Sequence, residues 1–312
     1  MALPTLLYTN PHCLDHDTGP HHPERADRLR AIAGILESEE FTWLDRETAP
    51  LADREDLSPA HAKGYVDGIL AAVPRDGTPH HIDSDTVLSA GSGKAALAAA
   101  GAAIAAVDAL TENRARNAFC AVRPPGHHAE HAAAMGFCLF NNAAIAALRA
   151  RHHHGFARVA VVDFDVHHGN GTQDILWNEP GLFYASTHQH PAYPGTGAAG
   201  ETGGAGRIVN VPLPPGSGSD AFRRAYDEII LPALAGFAPD FLVVSAGFDG
   251  HAADPLAQLR LTEEDFAWVT RALAAQAATS AGHRLVSVLE GGYDTDALAR
   301  SVRRHVRALM GD

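Results

Sequence analysis

The residue types best suited to chemistry fall in the run 158–171, RVAVVDFDVHHGNG. Val159, Ala160, Val161 and Val162 are continuously apolar, as a strand buried on both faces would be. Where that run ends, Asp163, Asp165 and His167 recur at every second position. A strand sends alternate side chains to one face, so extended backbone here points two carboxylates and an imidazole into the same space. Gly169 and Gly171 then let the chain turn away close to whatever sits there. Two carboxylates buried together are costly without a cation between them, so the pattern reads as a metal or catalytic site.

Three other loops have the same character. A strand over 119–122 delivers RPPGHHAE, in which Pro124, Pro125 and Gly126 make a stiff turn before His127 and His128. A buried strand over 240–245 opens into AGFDGHAADP, with Asp249, His251 and Asp254. A last strand over 285–289 ends in EGGYD, which carries Tyr293. In a parallel α/β sheet all four loops open at the carboxyl edge, where such folds bind ligands. Asp and His donors suit a divalent first-row metal, with zinc the first choice and iron or cobalt also compatible. Asp165 and His167 are the first ligands; residue chemistry leaves the third open between Asp249 and Asp254. A metal with an open position polarises a carbonyl and acidifies water. The His127/His128 pair would then supply base and acid, and Tyr293 an oxyanion donor. Metal-assisted hydrolysis of an amide is the reaction class that uses all these parts.

The elements that must position these groups alternate between strand and helix almost throughout. That predicts one α/β domain over 1–312, a mostly parallel sheet with helices on both faces. Further strands are expected over 6–9, 182–186 and 208–211. Helices are expected after Pro23, from Ser58 to Leu70, after Ser92 as N-cap, up to the His152–His154 run, from Ser219 to about Ala235, after Thr262, and after the cap Asp294. His12, His16, His21 and His22 read as an exposed polar loop. The triple-His run reads as a solvated helix end, where cations offset the dipole.

Bulk properties exclude several classes. Lys and Arg number 24 against 37 Asp and Glu, a net charge of −13, which disfavours nucleic acid as a partner. Cys13, Cys120 and Cys138 form no C-x-x-C pair, so neither a disulfide framework nor a cysteine zinc knuckle is expected, in keeping with a reducing cytosol. The start, MALPTLLYTN, lacks the features of a signal peptide. Residues 95–107 are apolar but short and alanine-rich, which predicts a packed helix rather than a bilayer span. A cytoplasmic protein with no membrane partner is the expectation; the oligomeric state stays open.

HPER at Pro23, RPPGHHAE, GFC, DFDVHHGNG, YPGTG, SAGFD…ADP and LEGGYD follow one another along nearly the whole chain. In these the sequence resembles the histone-deacetylase and acetylpolyamine-amidohydrolase family, in its bacterial class-II-like branch. The resemblance implies an arginase/deacetylase-like domain with about eight strands. It implies Asp165, His167 and Asp254 as zinc ligands, His128 as general base and acid, and His127 as its electrostatic partner. Asp163 and Asn170 would orient the two histidines, and Tyr293 would polarise the acyl carbonyl. Asp163, Asp165, the His167 carbonyl, Ser186 and Thr187 match a structural potassium site. Gly136 and Phe137 would form one wall of an acyl-lysine tunnel, and Tyr193 the other, where the family usually has Phe. Leu261 matches the gatekeeper position at which polyamine deacetylases carry Glu. An apolar gatekeeper offers a polyamine no partner, so acyl-lysine in peptides or proteins is the expected substrate. The alternative is an acylated polyamine or other small amine. Asn170 and the lack of an Asp-x-His-x-Asp run argue against the related two-manganese ureohydrolases. An intact His pair with Tyr293 argues against a non-catalytic acyl-lysine reader.

Overall fold

Apolar runs such as Val159–Val162 need cover on both faces, and they find it in the middle of one eight-stranded parallel sheet. A computed structural model describes residues 3–312. The strands of the main sheet are β1 (Thr5–Thr9), β2 (Leu44–Thr48), β3 (Asn117–Cys120) and β4 (Val159–Asp163). They continue with β5 (Leu182–Gln189), β6 (Ile208–Leu213), β7 (Phe241–Ala246) and β8 (Leu285–Leu289). Their order across the sheet is β2-β1-β3-β8-β7-β4-β5-β6, and every neighbouring pair is parallel. The α/β class and the eight-stranded parallel sheet are as expected.

That order matters for chemistry. β3, β8, β7 and β4 are consecutive in the sheet although far apart in the chain. Their ends are level, because Asp163 registers with Ser245 on β7 and Ser186 on β5, and Leu289 on β8 with Ala246. The loops that follow these strands therefore open side by side along one edge.

Helices cover both faces, among them α1 (Asp27–Leu36), α2 (Ser92–Thr111), α3 (Glu263–Ser280) and α4 (Thr295–Met310). By length and composition alone α2 could cross a membrane, but most of it is buried inside the domain. Its run of alanines lets it lie close to β3, which is the packed helix expected there. Ser92 is its first helical residue rather than its cap; the hydroxyl is engaged by the Ser89 N–H at 2.7 Å and by His16 Nδ1 at 2.7 Å. Asp294 does cap α4, accepting from the Ala297 N–H at 2.8 Å.

Several elements differ from expectation. β2, LDRET, is too charged to read as a strand; it survives as an edge, where charge discourages further pairing. The helix expected from Ser58 to Leu70 starts only at Lys63 and runs to Ala72, and a separate short helix, Arg54–Leu57, ends just before Ser58. His16 does not belong to a solvated loop: it is buried beside Glu24, which pairs with Arg123 and with Arg28 at 3.0 Å. Arg123 also donates to the carbonyls of Cys13 and His16, so two buried guanidiniums pull this polar segment inward. At the triple-His run, His154 Nε2 lies 2.6 Å from Asp108, which ties the helix end down.

Candidate active site

Asp165, His167 and Asp249 bring one donor atom each to within 4.8 Å of one another. His167 Nδ1 lies 3.3 Å from Asp165 Oδ1 and 3.1 Å from Asp249 Oδ2. Backbone donors fix both acids: the Gly291 N–H donates to Asp165 Oδ2 at 2.8 Å, and the Val166 N–H to Asp249 Oδ1 at 2.9 Å. A β-carbon at Gly291 would overlap both carboxylates, so only glycine lets β8 approach this closely. Burial and the charge of Asp165 raise Asp249 to about 7. Burial opposes a charge on His167, but the two carboxylates outweigh it and lift the imidazole to about 10. Two buried acids and one imidazole nitrogen at this spacing are a donor set for a divalent cation.

The expected third ligand is corrected by this geometry. Asp254 stands outside the cluster, and its carboxylate is occupied by backbone. Oδ1 accepts from the Leu256 N–H at 3.0 Å, and Oδ2 from Tyr293 at 2.7 Å and Asp294 at 3.4 Å. It ties the loop after β7 to the turn carrying Tyr293.

The two histidines of RPPGHHAE lie beside the cluster with rings 4.0 Å apart. His127 Nδ1 is 3.0 Å from Asp163 Oδ2, and His128 Nδ1 is 2.8 Å from Asn170 Oδ1. Their environments push them in opposite directions. Burial disfavours a charge on His127, yet the Asp165 and Asp163 carboxylates raise it well above the usual imidazole range. Burial, then the His127 and His167 charges, hold His128 well below that range. A cationic and a neutral imidazole side by side can stabilise charge and accept a proton, respectively.

A pocket of about 230 Å³ opens over these groups. His128, His167 and Tyr293 line it together with Gly136, Phe137 and Tyr193. Gly136 and Phe137 both have positive φ, 56° and 69°. The turn lays Gly136 flat against His128, where a β-carbon would overlap the ring. Tyr193 meets His128 edge-on at 5.1 Å and is 42 % exposed. Burial, then Asp249, raise the Tyr293 phenol well above its usual range, so it stays a donor. A larger cavity, about 380 Å³ against β1 and α1, is lined by groups such as Leu7, Leu29 and Ile32 and includes none of the residues above.

Leu261 is also corrected: it is 1 % exposed, bonded through its backbone to Gly250 and Ala252, and does not line the pocket. Leu256, 41 % exposed, stands at the pocket instead. Asp85, from the polar loop before α2, shares the lining; a single acid in a polar loop carries no sequence signal for such a place. Asp163, Ser186 and Thr187 are all buried; Asp163 ends β4 and registers with Ser186 inside β5.

Residues 22–309 match the family model described as the histone deacetylase domain. A probable deacetylase of Archaeoglobus fulgidus is 41 % identical over 91 % of this chain and 79 % of its own length. A histone deacetylase-like amidohydrolase of Pseudomonas aeruginosa is 39 % identical over 94 % of this chain and 82 % of its own. The crystal structure of the HDA15 HD domain superposes with a TM-score of 0.94 at 36 % identity, covering 99 % of this chain and 89 % of that one. The chain belongs to the histone deacetylase family.

Proposed function

We propose that this protein is a divalent-metal-dependent amidohydrolase that removes acetyl-type acyl groups from the ε-amine of lysine in peptides or proteins. Asp165, His167 and Asp249 would hold the ion, zinc by preference, with iron or cobalt compatible with the same donors. When bound, the ion supplies Lewis acidity toward the acyl carbonyl and a water. His128, kept neutral and oriented by Asn170, takes a proton from that water and returns it to the departing amine. His127, held cationic by Asp163, offsets the negative charge that develops beside it. The Tyr293 hydroxyl donates to the carbonyl oxygen as charge builds there. Gly136, Phe137 and Tyr193 flank the apolar stem of the side chain, and the Tyr193 hydroxyl adds a polar group to that wall. Asp163, Asp165, the His167 carbonyl, Ser186 and Thr187 are the candidates for a structural potassium, supported by the register of Asp163 with Ser186 between β4 and β5.

The observation that carries this reading is that His128, His167 and Tyr293 line one pocket together with Gly136, Phe137 and Tyr193. Asp85 at the same pocket favours a second reading, in which its carboxylate pairs with the free ammonium of an acylated polyamine. Turnover of an acetyl-lysine peptide against acetylputrescine, each with and without chelator, tests both. Peptide preference abolished by chelator is expected. Preference for acetylputrescine would transfer the assignment to small amines, and turnover unaffected by chelator would refute the metal.

A further inference from the structure

We propose that Glu130 is a positioning residue for His128, fixing the flip of the Asn170 side chain and through it the tautomer of the imidazole. The consequence for turnover rests on the deacylase reading; the geometry does not.

Asn170 Oδ1 faces His128 Nδ1 at 2.8 Å. On the other side Asn170 Nδ2 donates to Glu130 Oε1 at 2.8 Å, with Met135 Sδ at 3.2 Å. The two ends of an amide have nearly the same shape, so the pocket around His128 does not by itself choose which end meets the ring. A carboxylate does choose, because an ionised one only accepts. The amide NH₂ must therefore face Glu130, which leaves the oxygen toward His128. That oxygen also only accepts, so Nδ1 must carry the proton of the neutral ring. The lone pair then sits on Nε2, the nitrogen not engaged by Asn170. With the amide reversed, Nδ1 would become the acceptor and the proton would move to Nε2, leaving no base.

Glu130 is well placed to enforce this. It lies two residues beyond His128 on the same turn, half-buried. Its backbone is held at both ends: its N–H donates to the Ala133 carbonyl at 2.9 Å, and its carbonyl accepts from His61 Nδ1 at 3.0 Å. An Asp at position 170 would present an acceptor either way round and would need no such help. Asn does.

The test reads the His128 ring nitrogens by ¹⁵N NMR in the metal-free protein, for the wild type, Glu130→Ala and Glu130→Gln, with steady-state kinetics on the metal-loaded forms. In the wild type the Nδ1–H tautomer is expected. Glu130→Ala should populate the Nε2–H form and lower kcat about tenfold with KM changed less than about twofold. Glu130→Gln offers Asn170 an NH₂ as readily as an oxygen, so both readouts should fall between those of the wild type and Glu130→Ala. In an Asn170→Ala background, Glu130→Ala should cost nothing further, since it acts through Asn170. An Nε2–H wild type, an unchanged tautomer in Glu130→Ala, or an added loss in the double variant would each overturn the assignment. A wild type with the Nδ1–H ring but no deacylation would count against the function and leave this inference standing.

Discussion

His167 Nδ1 and Asp249 Oδ2 approach to 3.1 Å across 82 residues of chain. Asp249 is buried and His167 partly so, and the Asp165 carboxylate is within 3.3 Å of the same nitrogen. Asp254, five residues after Asp249, spends its oxygens on three backbone donors. Replacing each of these two acids by Ala separates the roles. Asp249→Ala should lose the metal, leaving less than about a tenth of wild-type occupancy by elemental analysis after dialysis. Asp254→Ala should keep it and lose activity by loosening the Tyr293 turn. Metal retained in the first variant and lost in the second would restore Asp254 as the ligand.

Tyr293 contributes a donor and no ligand atom. Tyr293→Phe should therefore lower kcat by about 10²–10³-fold, the scale of a lost oxyanion donor, with metal content and folded stability unchanged. A fall of less than threefold, measured on an acetyl-lysine peptide, would remove the phenol from the reaction.

Two leucines divide along burial. Leu256→Glu places a carboxylate at the solvent side of the pocket and should shift the ratio of kcat/KM for acetylputrescine over acetyl-lysine peptide upward by about tenfold, a gain of one charge pair. Leu261→Glu puts an unpaired charge in the core and should instead reduce stability by several kcal/mol, about 3 or more. Equal behaviour of the two variants in urea unfolding would contradict the placement of Leu261.

His305 supplies a pH dependence outside the metal-ligand cluster. Its ring is enclosed by Phe119, Phe164 and Phe248, with Nδ1 2.6 Å from Thr270 Oγ1 and Nε2 2.8 Å from Ser287 Oγ. Burial lowers it to about 3. Between that value and the usual 6.5 the unfolded chain binds the extra proton, so stability rises with pH in this window. Acidification below 6.5 should cost about 1.4 kcal/mol per pH unit from this one group, fading near its folded value. Urea unfolding of wild type and His305→Gln from about pH 7.5 to about pH 5 checks it: the variant, though weaker at neutral pH, should lose stability less steeply. Parallel slopes would mean that the folded ring takes up its proton as readily as the unfolded one.

Much of this protein was legible before any coordinates. The alternation Asp163, Asp165, His167 after an apolar run placed three functional groups, because in a strand spacing along the chain decides direction in space. His127, His128 and Tyr293 were legible as neighbours of strand ends, and the parallel sheet followed from alternating elements. The tertiary structure decided what depends on strand order and register. Asp249 rather than Asp254 meets Asp165 because Phe248 N–H bonds the Gly291 carbonyl at 3.0 Å, which pins the start of that loop between β4 and β8. Leu261 turns back to pair with Gly250 while Leu256 stays outside, and His16 is buried by arginines from other segments. Periodicity governs which way a side chain points within its own element. Which distant loops meet is set by backbone hydrogen bonds and buried charges between elements, and nothing in the local pattern encodes those.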